Sequence, residues 1–179
     1  MKKGVYGLFK LLNISYKVQM GKLFLPDETY RKISDISLDY LINEKKIKGL
    51  IFDFDGTLFT NNSVSPDTLN FLKRAKDQGL KIAILSNNFH VSSTILRTIN
   101  ITTTKKLAFK PLKTPFLNMA KRMKLPPSKI AVIGNNRLSD IWGANRSNMF
   151  SIYIQNFNNF TFKRTNKNIY KKIGIKHVK

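Results

Sequence analysis

Gly49-Leu50-Ile51-Phe52-Asp53-Phe54-Asp55-Gly56-Thr57-Leu58 is the stretch on which the reading of this chain turns. An apolar run ends in two carboxylates two positions apart. In a strand, residues i and i+2 face the same side. A strand that stops here therefore delivers Asp53 and Asp55 to one pocket at its C-terminal edge. Gly56 permits a sharp turn, and Thr57 adds a hydroxyl nearby. Such a carboxylate pair can bind a divalent cation and divide the work of attack and proton transfer. The plainer alternative is a buried strand closed by an Asp-Gly turn, and the rest of the chain decides between the two.

Downstream the pattern alternates. A helix is expected from about Ser65-Pro66-Asp67, with Ser65 as cap and Pro66 in the first helical position, to Lys76, ended by Gly79. A strand over 81–85 runs into Ser86-Asn87-Asn88, and a helix covers about 92–99. A short strand near Leu107–Phe109 precedes Lys110-Pro111, and a helix covers about 114–123. A strand over 129–133 ends at Gly134-Asn135-Asn136. A helix over about 139–147 leads to a last strand over 149–154. This alternation predicts an α/β domain, a Rossmann-like parallel sheet with helices on both faces. In such sheets ligands bind beyond the carboxyl ends of the strands. Asp53, Asp55, Ser86, Lys110 and the loop from Asn135 to Asp140 all fall at such ends.

Upstream, Ile36 to Lys46 reads as a helix leading into the first core strand. Residues 1–24 hold five lysines and no acid, and Val5, Leu8, Phe9 and Leu12 recur at helical spacing. That segment is either a helix docked on the core or a basic amphipathic helix lying on an anionic bilayer. From Gln155 the chain turns Asn- and Phe-rich and then basic. The expected organisation is an N-terminal basic, helical extension over 1–46 that packs on or precedes the core, a catalytic core over 47–156 and a basic tail over 157–179.

The chain has 179 residues, 42% of them hydrophobic, enough for one domain with a real core. It has no cysteine, which excludes disulfides and thiolate metal sites, and only His90 and His177 offer imidazole. A metal must therefore be held by oxygen, which suits magnesium. The formal net charge is +22, and after Asp77 the only acid is Asp140. A field of this sign favours an anionic partner, whether phosphorylated ligand, nucleic acid or membrane surface. An AT-rich coding bias toward Lys, Asn and Ile produces the same composition. No apolar run of 18 residues is present and no signal peptide is read at the N-terminus.

Asp53-Phe54-Asp55-Gly56-Thr57-Leu58 resembles the first motif of the haloacid dehalogenase-like (HAD) hydrolases. The other three motifs have counterparts in the right order: Ser86 in Ile-Leu-Ser-Asn-Asn, Lys110 in Phe-Lys-Pro, and Gly134-Asn135-Asn136-Arg137-Leu138-Ser139-Asp140. The resemblance implies that Asp53 attacks phosphorus to form an aspartyl-phosphate and that Asp55 serves as acid and base. It implies that Ser86 and Lys110 bind the transferring phosphoryl group, with Thr57 and Asn87 beside them as substrate-binding candidates. It also implies magnesium held by Asp53, the carbonyl of Asp55, Asn135 and Asp140. One departure stands out: the family usually has Asp where this chain has Asn135, and an amide oxygen brings no charge to the metal.

About 28 residues separate Thr57 from Ser86, and about 23 separate Ser86 from Lys110. A helix and its turns fill such intervals, leaving no room for a cap domain. The chain from Leu25-Pro26-Asp27-Glu28 to about Ile154 is similar to one capless family, the YqeG-like HAD type IIIA proteins, which are related to mitochondrial phosphatidylglycerophosphate phosphatases. Ser86-Asn87-Asn88, Lys110-Pro111-Leu112 and Gly143-Ala144-Asn145-Arg146 carry that likeness, while Gly56 stands where these relatives often have Asn. The resemblance implies a magnesium-dependent phosphatase acting on phosphatidylglycerophosphate, cytoplasmic and peripheral at the inner face of the membrane. Two other readings stay open: a phosphatase for nucleic-acid ends or phosphoproteins, and a weakened HAD scaffold that binds RNA or ribosomes. Oligomeric state is not legible.

Overall fold

A computed structural model describes residues 21–88, 96–97, 101 and 103–155. Its strands are β1 (Glu28–Tyr30), β2 (Gly49–Phe52), β3 (Lys81–Leu85), β4 (Thr104–Lys105), β5 (Ile130–Gly134) and β6 (Phe150–Ile154). They form one sheet in the order β1-β6-β5-β2-β3-β4, and every neighbouring pair is parallel. The chain runs from β2 outward to β3 and β4, then returns to the other side of β2 with β5 and β6. The order reverses beside β2, and such a switch point opens a crevice at the carboxyl ends of the strands.

Both faces of the sheet are covered because both parities of its central strands are apolar. Leu50, Phe52, Ile84, Ala131, Ile133, Ile152 and Ile154 share one buried cluster with Phe71, Leu72 and Ala75 of helix α1 (Pro66–Asp77). Ile51, Ala83, Leu85, Ile130 and Val132 share the other with Phe116, Met119, Ala120 and Met123 of helix α2 (Lys113–Met123). Ala144 of the short helix α3 (Trp142–Arg146) joins the second cluster. A strand buried on both faces needs an unbroken apolar run, as β2 and β5 have. Ser65 caps α1 by accepting a hydrogen bond from the Thr68 amide at 3.2 Å, with Pro66 at the first helical position.

Three local expectations are corrected. The strand placed near Leu107–Phe109 lies instead at Thr104–Lys105. Leu107 and Phe109 have φ of 47° and 56°, which no strand tolerates. The helix expected over Ile36–Lys46 is present but shorter, over 38–44, and widens into a π-helical turn at Tyr40–Glu44; a 3₁₀ turn at Ile33–Asp35 precedes it. The helix expected over 139–147 is divided into a π-helical turn at Arg137–Ile141 and α3.

The sequence reading missed β1. It is three residues long and half polar, so no periodicity marks it, yet it pairs with β6. Asp27 fixes its start, its carboxylate accepting from the Ser151 amide at 2.7 Å and the Ser151 hydroxyl at 2.9 Å. Ile33, Ile36, Leu38 and Leu41 are buried in the same core as β2. These residues therefore pack on the core that the strands form. The amphipathic segment within 1–20, most of the helix over 92–99 and the basic tail lie outside the described residues. Among those residues no helix is long and apolar enough to cross a membrane.

Candidate active site

Register aligns the strand ends. Phe52 pairs with Ile84 on one side and Ile133 on the other. The Asp53 amide still donates to the Ile133 carbonyl at 2.9 Å, so the chain leaves the sheet just past a strand paired on both sides. Asp53 is only 9% exposed. Its Oδ1 accepts from the Lys110 ammonium at 2.6 Å and its Oδ2 from the Thr57 hydroxyl at 3.2 Å. The same ammonium lies 2.6 Å from Oδ1 of Asp140. Asp140, 1% exposed, also accepts from the Asn136 amide at 3.0 Å and the Ser139 hydroxyl at 3.1 Å. Loops after β2, β4 and β5 thus meet at one buried cation between two carboxylates.

Burial first, and then the Asp140 charge, push the Asp53 carboxyl up from its ordinary 3.8 to about 6, although Lys110 pulls the other way. Burial alone disfavours the Lys110 ammonium, but Asp140 and Asp53 more than offset it, so its pKa is raised and the lysine stays charged.

Asp55 stands on the more open side. Its Oδ2 accepts from the Asn88 amide group at 2.8 Å, with the Ser86 hydroxyl at 3.5 Å. Ser86 is buried, and its Oγ in turn accepts from the Asn88 backbone amide at 3.0 Å. Asn88 is therefore a site residue the sequence reading left without a role; its neighbour at the strand end carried the motif signal. Asn87 behaves differently from the substrate-binding place given to it. Its Oδ1 accepts from the Lys110 backbone amide at 2.7 Å and its Nδ2 donates to the Lys110 carbonyl at 3.1 Å. Both ends of that amide hold the backbone of the Lys110 loop, which contains the cis Lys110-Pro111 bond. Asn87 is a positioning residue for Lys110. Asn145 likewise ties down the chain, donating to the carbonyls of Leu23 and Leu25 at 2.9 and 2.8 Å.

Two glycines make the loops close enough. A Cβ on Gly134 would sit 2.4–2.5 Å from the Asp140 carboxyl group, so glycine lets that side chain lie against the end of β5. Gly56 has φ of +76°, and a Cβ there would fall 2.2 Å from Nδ2 of Asn135. The loop after β5 therefore rests directly on the turn after β2. Gly56→Ala is expected to destabilise the protein by about 2–3 kcal/mol, combining backbone strain and overpacking. Adding Asn135→Ala should restore the steric part and leave about 1 kcal/mol. Urea titrations of the two single variants and the double variant measure the coupling, and strictly additive losses would refute the contact.

A topological switch point with a buried carboxylate-lysine-carboxylate bridge and a third acid beside it is the arrangement of a phosphoryl-transfer site in an α/β fold. The family model of haloacid dehalogenase-like hydrolases matches residues 59–148. Over 138 residues the chain is 31% identical to Probable phosphatase YqeG of Bacillus subtilis, spanning 75% of this chain and 79% of that one. It belongs to the haloacid dehalogenase-like hydrolases, in the YqeG-like branch. Crystal structures of proteins from Listeria monocytogenes and Corynebacterium glutamicum share the fold, each with a TM-score of 0.53. The first is 24% identical and covers 62% of this chain and 79% of its own; the second is 23% identical and covers 74% and 99%.

The family implies magnesium, and the residues present fit it. Asp53 and Asp140 already converge on one cation, Lys110. All available donors are oxygen, as a hard cation requires. Among the described residues no three His, Cys, Asp or Glu side chains form a metal cluster. The family resemblance assigns the further ligand positions to neutral oxygens, the Asp55 carbonyl and the Asn135 amide.

Proposed function

We propose that this hydrolase is a magnesium-dependent phosphatase working through a phosphorylated Asp53, and that its substrate is phosphatidylglycerophosphate, giving phosphatidylglycerol. The observation that carries the chemistry is the Lys110 ammonium held 2.6 Å from both Asp53 and Asp140. It fixes the nucleophile's orientation and puts positive charge where a phosphoryl group gains negative charge. Asp53 would attack phosphorus as the bond to the lipid oxygen breaks. Asp55, oriented by Asn88, would give the leaving oxygen its proton and later take one from the water that hydrolyses the acyl phosphate. Ser86 and Thr57 supply hydroxyls for the phosphoryl oxygens. Asp53, the Asp55 carbonyl, Asn135 and Asp140 would hold magnesium, which neutralises phosphate charge that otherwise repels the nucleophile.

The substrate assignment is supported by the likeness to the YqeG-like family, by the short first interval and by charge. Residues 57–86 are filled by tight turns, α1 and β3, so this interval inserts no cap. A phosphate on a large body can therefore reach Asp53. The net charge of +22 suits an anionic surface, each Lys or Arg near a bilayer adding roughly 1 kcal/mol of attraction.

The test is phosphate release from phosphatidylglycerophosphate in mixed micelles, beside soluble phosphate esters and 3′-phosphorylated oligonucleotides. Lipid turnover that chelation abolishes is expected; preference for the oligonucleotide would move the assignment to nucleic-acid ends. In the same assay Asn135→Asp should lower the magnesium concentration for half-maximal rate by about tenfold, since it adds a charge to the ligand set. An unchanged requirement, in activity and in magnesium-dependent thermal shift, places Asn135 outside the metal shell.

A further inference from the structure

The loop that carries Lys110 into the site also carries the most exposed large apolar side chain among the described residues. Phe109 is 70% exposed, Leu112 is 55% and Leu107 is 44%. Exposed apolar residues scattered singly need no explanation, but a cluster at the rim of a site does. These three lie within six positions, and between them Ala108 and Lys110 are buried.

The backbone enforces the arrangement. Leu107 and Phe109 both occupy the left-handed region, with φ of 47° and 56°. Neither residue type favours that region, and the conformation persists only where surrounding contacts over-determine it. Those contacts are present. The Ala108 amide donates to the Ser86 carbonyl at 2.9 Å, and Asn87 clamps both backbone polar groups of Lys110. The Leu112 amide then donates to the Phe109 carbonyl at 3.0 Å, closing a tight turn with Phe109 and Leu112 at its two ends. A loop needed only to deliver Lys110 has no reason to hold two apolar side chains out in unfavourable backbone.

The surrounding charge identifies the partner. Lys105, Lys106 and Lys113 flank the apolar tip and are exposed. From Gln78 to the end of the chain the only carboxylate side chain is Asp140, which is buried in the site. An apolar tip with a lysine collar and no acid in its own segment is complementary to an anionic lipid surface; the nearest open carboxylate, Asp55, is turned to Asn88 within the site. The tip enters the acyl boundary while the ammonium groups meet the headgroup phosphates.

We propose that Leu107, Phe109 and Leu112 form a membrane-insertion tip that seats the mouth of the active site on an anionic bilayer, resting on the lipid reading given above. The tip is covalently continuous with Lys110, so insertion places the crevice at headgroup depth.

The test uses the full chain and vesicles of phosphatidylcholine with and without phosphatidylglycerol, made with ordinary or brominated acyl chains. The chain has one tryptophan, Trp142, and the substitution Phe109→Trp adds a reporter at the tip. Bromine should quench that added emission on phosphatidylglycerol vesicles, with little change in the unsubstituted protein. Phe109→Ser with Leu112→Ser should weaken partitioning to those vesicles by about tenfold or more, as loss of two inserted apolar side chains requires. Turnover of p-nitrophenyl phosphate should stay within about twofold, which shows the fold and chemistry intact. Absence of quenching, or unchanged partitioning of the serine pair, overturns the proposal. Loss of single-stranded RNA binding by the serine pair without quenching by vesicles also overturns it and gives the loop to nucleic acid. Quenching without hydrolysis of phosphatidylglycerophosphate supports the tip and removes the substrate assignment. Hydrolysis in micelles without quenching removes the tip alone.

Discussion

Asp53→Asn is expected to eliminate phosphate release while making the metal-free protein more stable above about pH 6. The loss of activity follows from the chemistry. An amide cannot attack phosphorus, and among the described residues Asp53 is the carboxylate that both Lys110 and Thr57 hold, so turnover should fall by about a thousandfold or more. The gain in stability follows from the sign of the pKa shift. Asp53 titrates near 3.8 when unfolded and about 6 when folded, raised by burial and by Asp140. The folded state therefore binds more protons than the unfolded state between those values, and stability falls as pH rises through that window. Asn mimics the protonated form and escapes the loss. The variant should match wild type near about pH 4 and exceed it by about 1–3 kcal/mol at about pH 8, where the full penalty applies. Urea denaturation at both pH values in chelator measures this. Equal stability at both would mean that Asp53 is not strained by its surroundings. Magnesium should narrow the gap, because an added cation relieves the repulsion that Asn removes.

Much of this site was legible before any coordinate because its residues sit at strand ends, and strand ends are marked by apolar runs that stop. Asp53, Ser86 and Asn135 each follow such a run. Lys110 was placed at a strand end by a strand near Leu107–Phe109 that the structure does not have, so its role rests on the family motif. The strand that does precede it is two residues long, and the turn that delivers it depends on left-handed backbone at Leu107 and Phe109 that residue type argues against. Asn87 and Asn88 were legible as a pair but not in their separate duties. Which amide clamps a backbone and which orients Asp55 depends on the three-dimensional path of the 105–110 loop. The β1 strand was silent because Glu28, Thr29 and Tyr30 have no apolar period; its pairing with β6 and the carboxylate of Asp27 on Ser151, 124 positions away, fix it.

Lys110→Met tests the other half of the electrostatic argument and carries the largest expected loss of stability. The two carboxylates are arranged around this one ammonium at 2.6 Å each, and Lys110 and Asp140 are nearly inaccessible to water. Methionine fills similar volume, so packing is largely kept and the charge is removed. Asp53 and Asp140 then face each other without a cation. Breaking a buried ion pair by removing one partner typically costs about 3–5 kcal/mol, because the remaining charge stays desolvated. Lys110 is one of the influences that hold the Asp53 pKa down; without it the carboxyl retains its proton to still higher pH. The destabilisation should therefore be small in acid and grow as pH rises past about 6. Asp53→Asn in the same chain should recover most of it, since only Asp140 is then charged and the Asn136 amide and Ser139 hydroxyl still donate to it. A single Lys110→Met variant as stable as wild type at about pH 8 would show that solvent or a structural shift already compensates the two carboxylates. Magnesium should stabilise Lys110→Met more than wild type, read by thermal shift, because the variant offers the ion two uncompensated carboxylates where wild type offers a pair already shared with an ammonium.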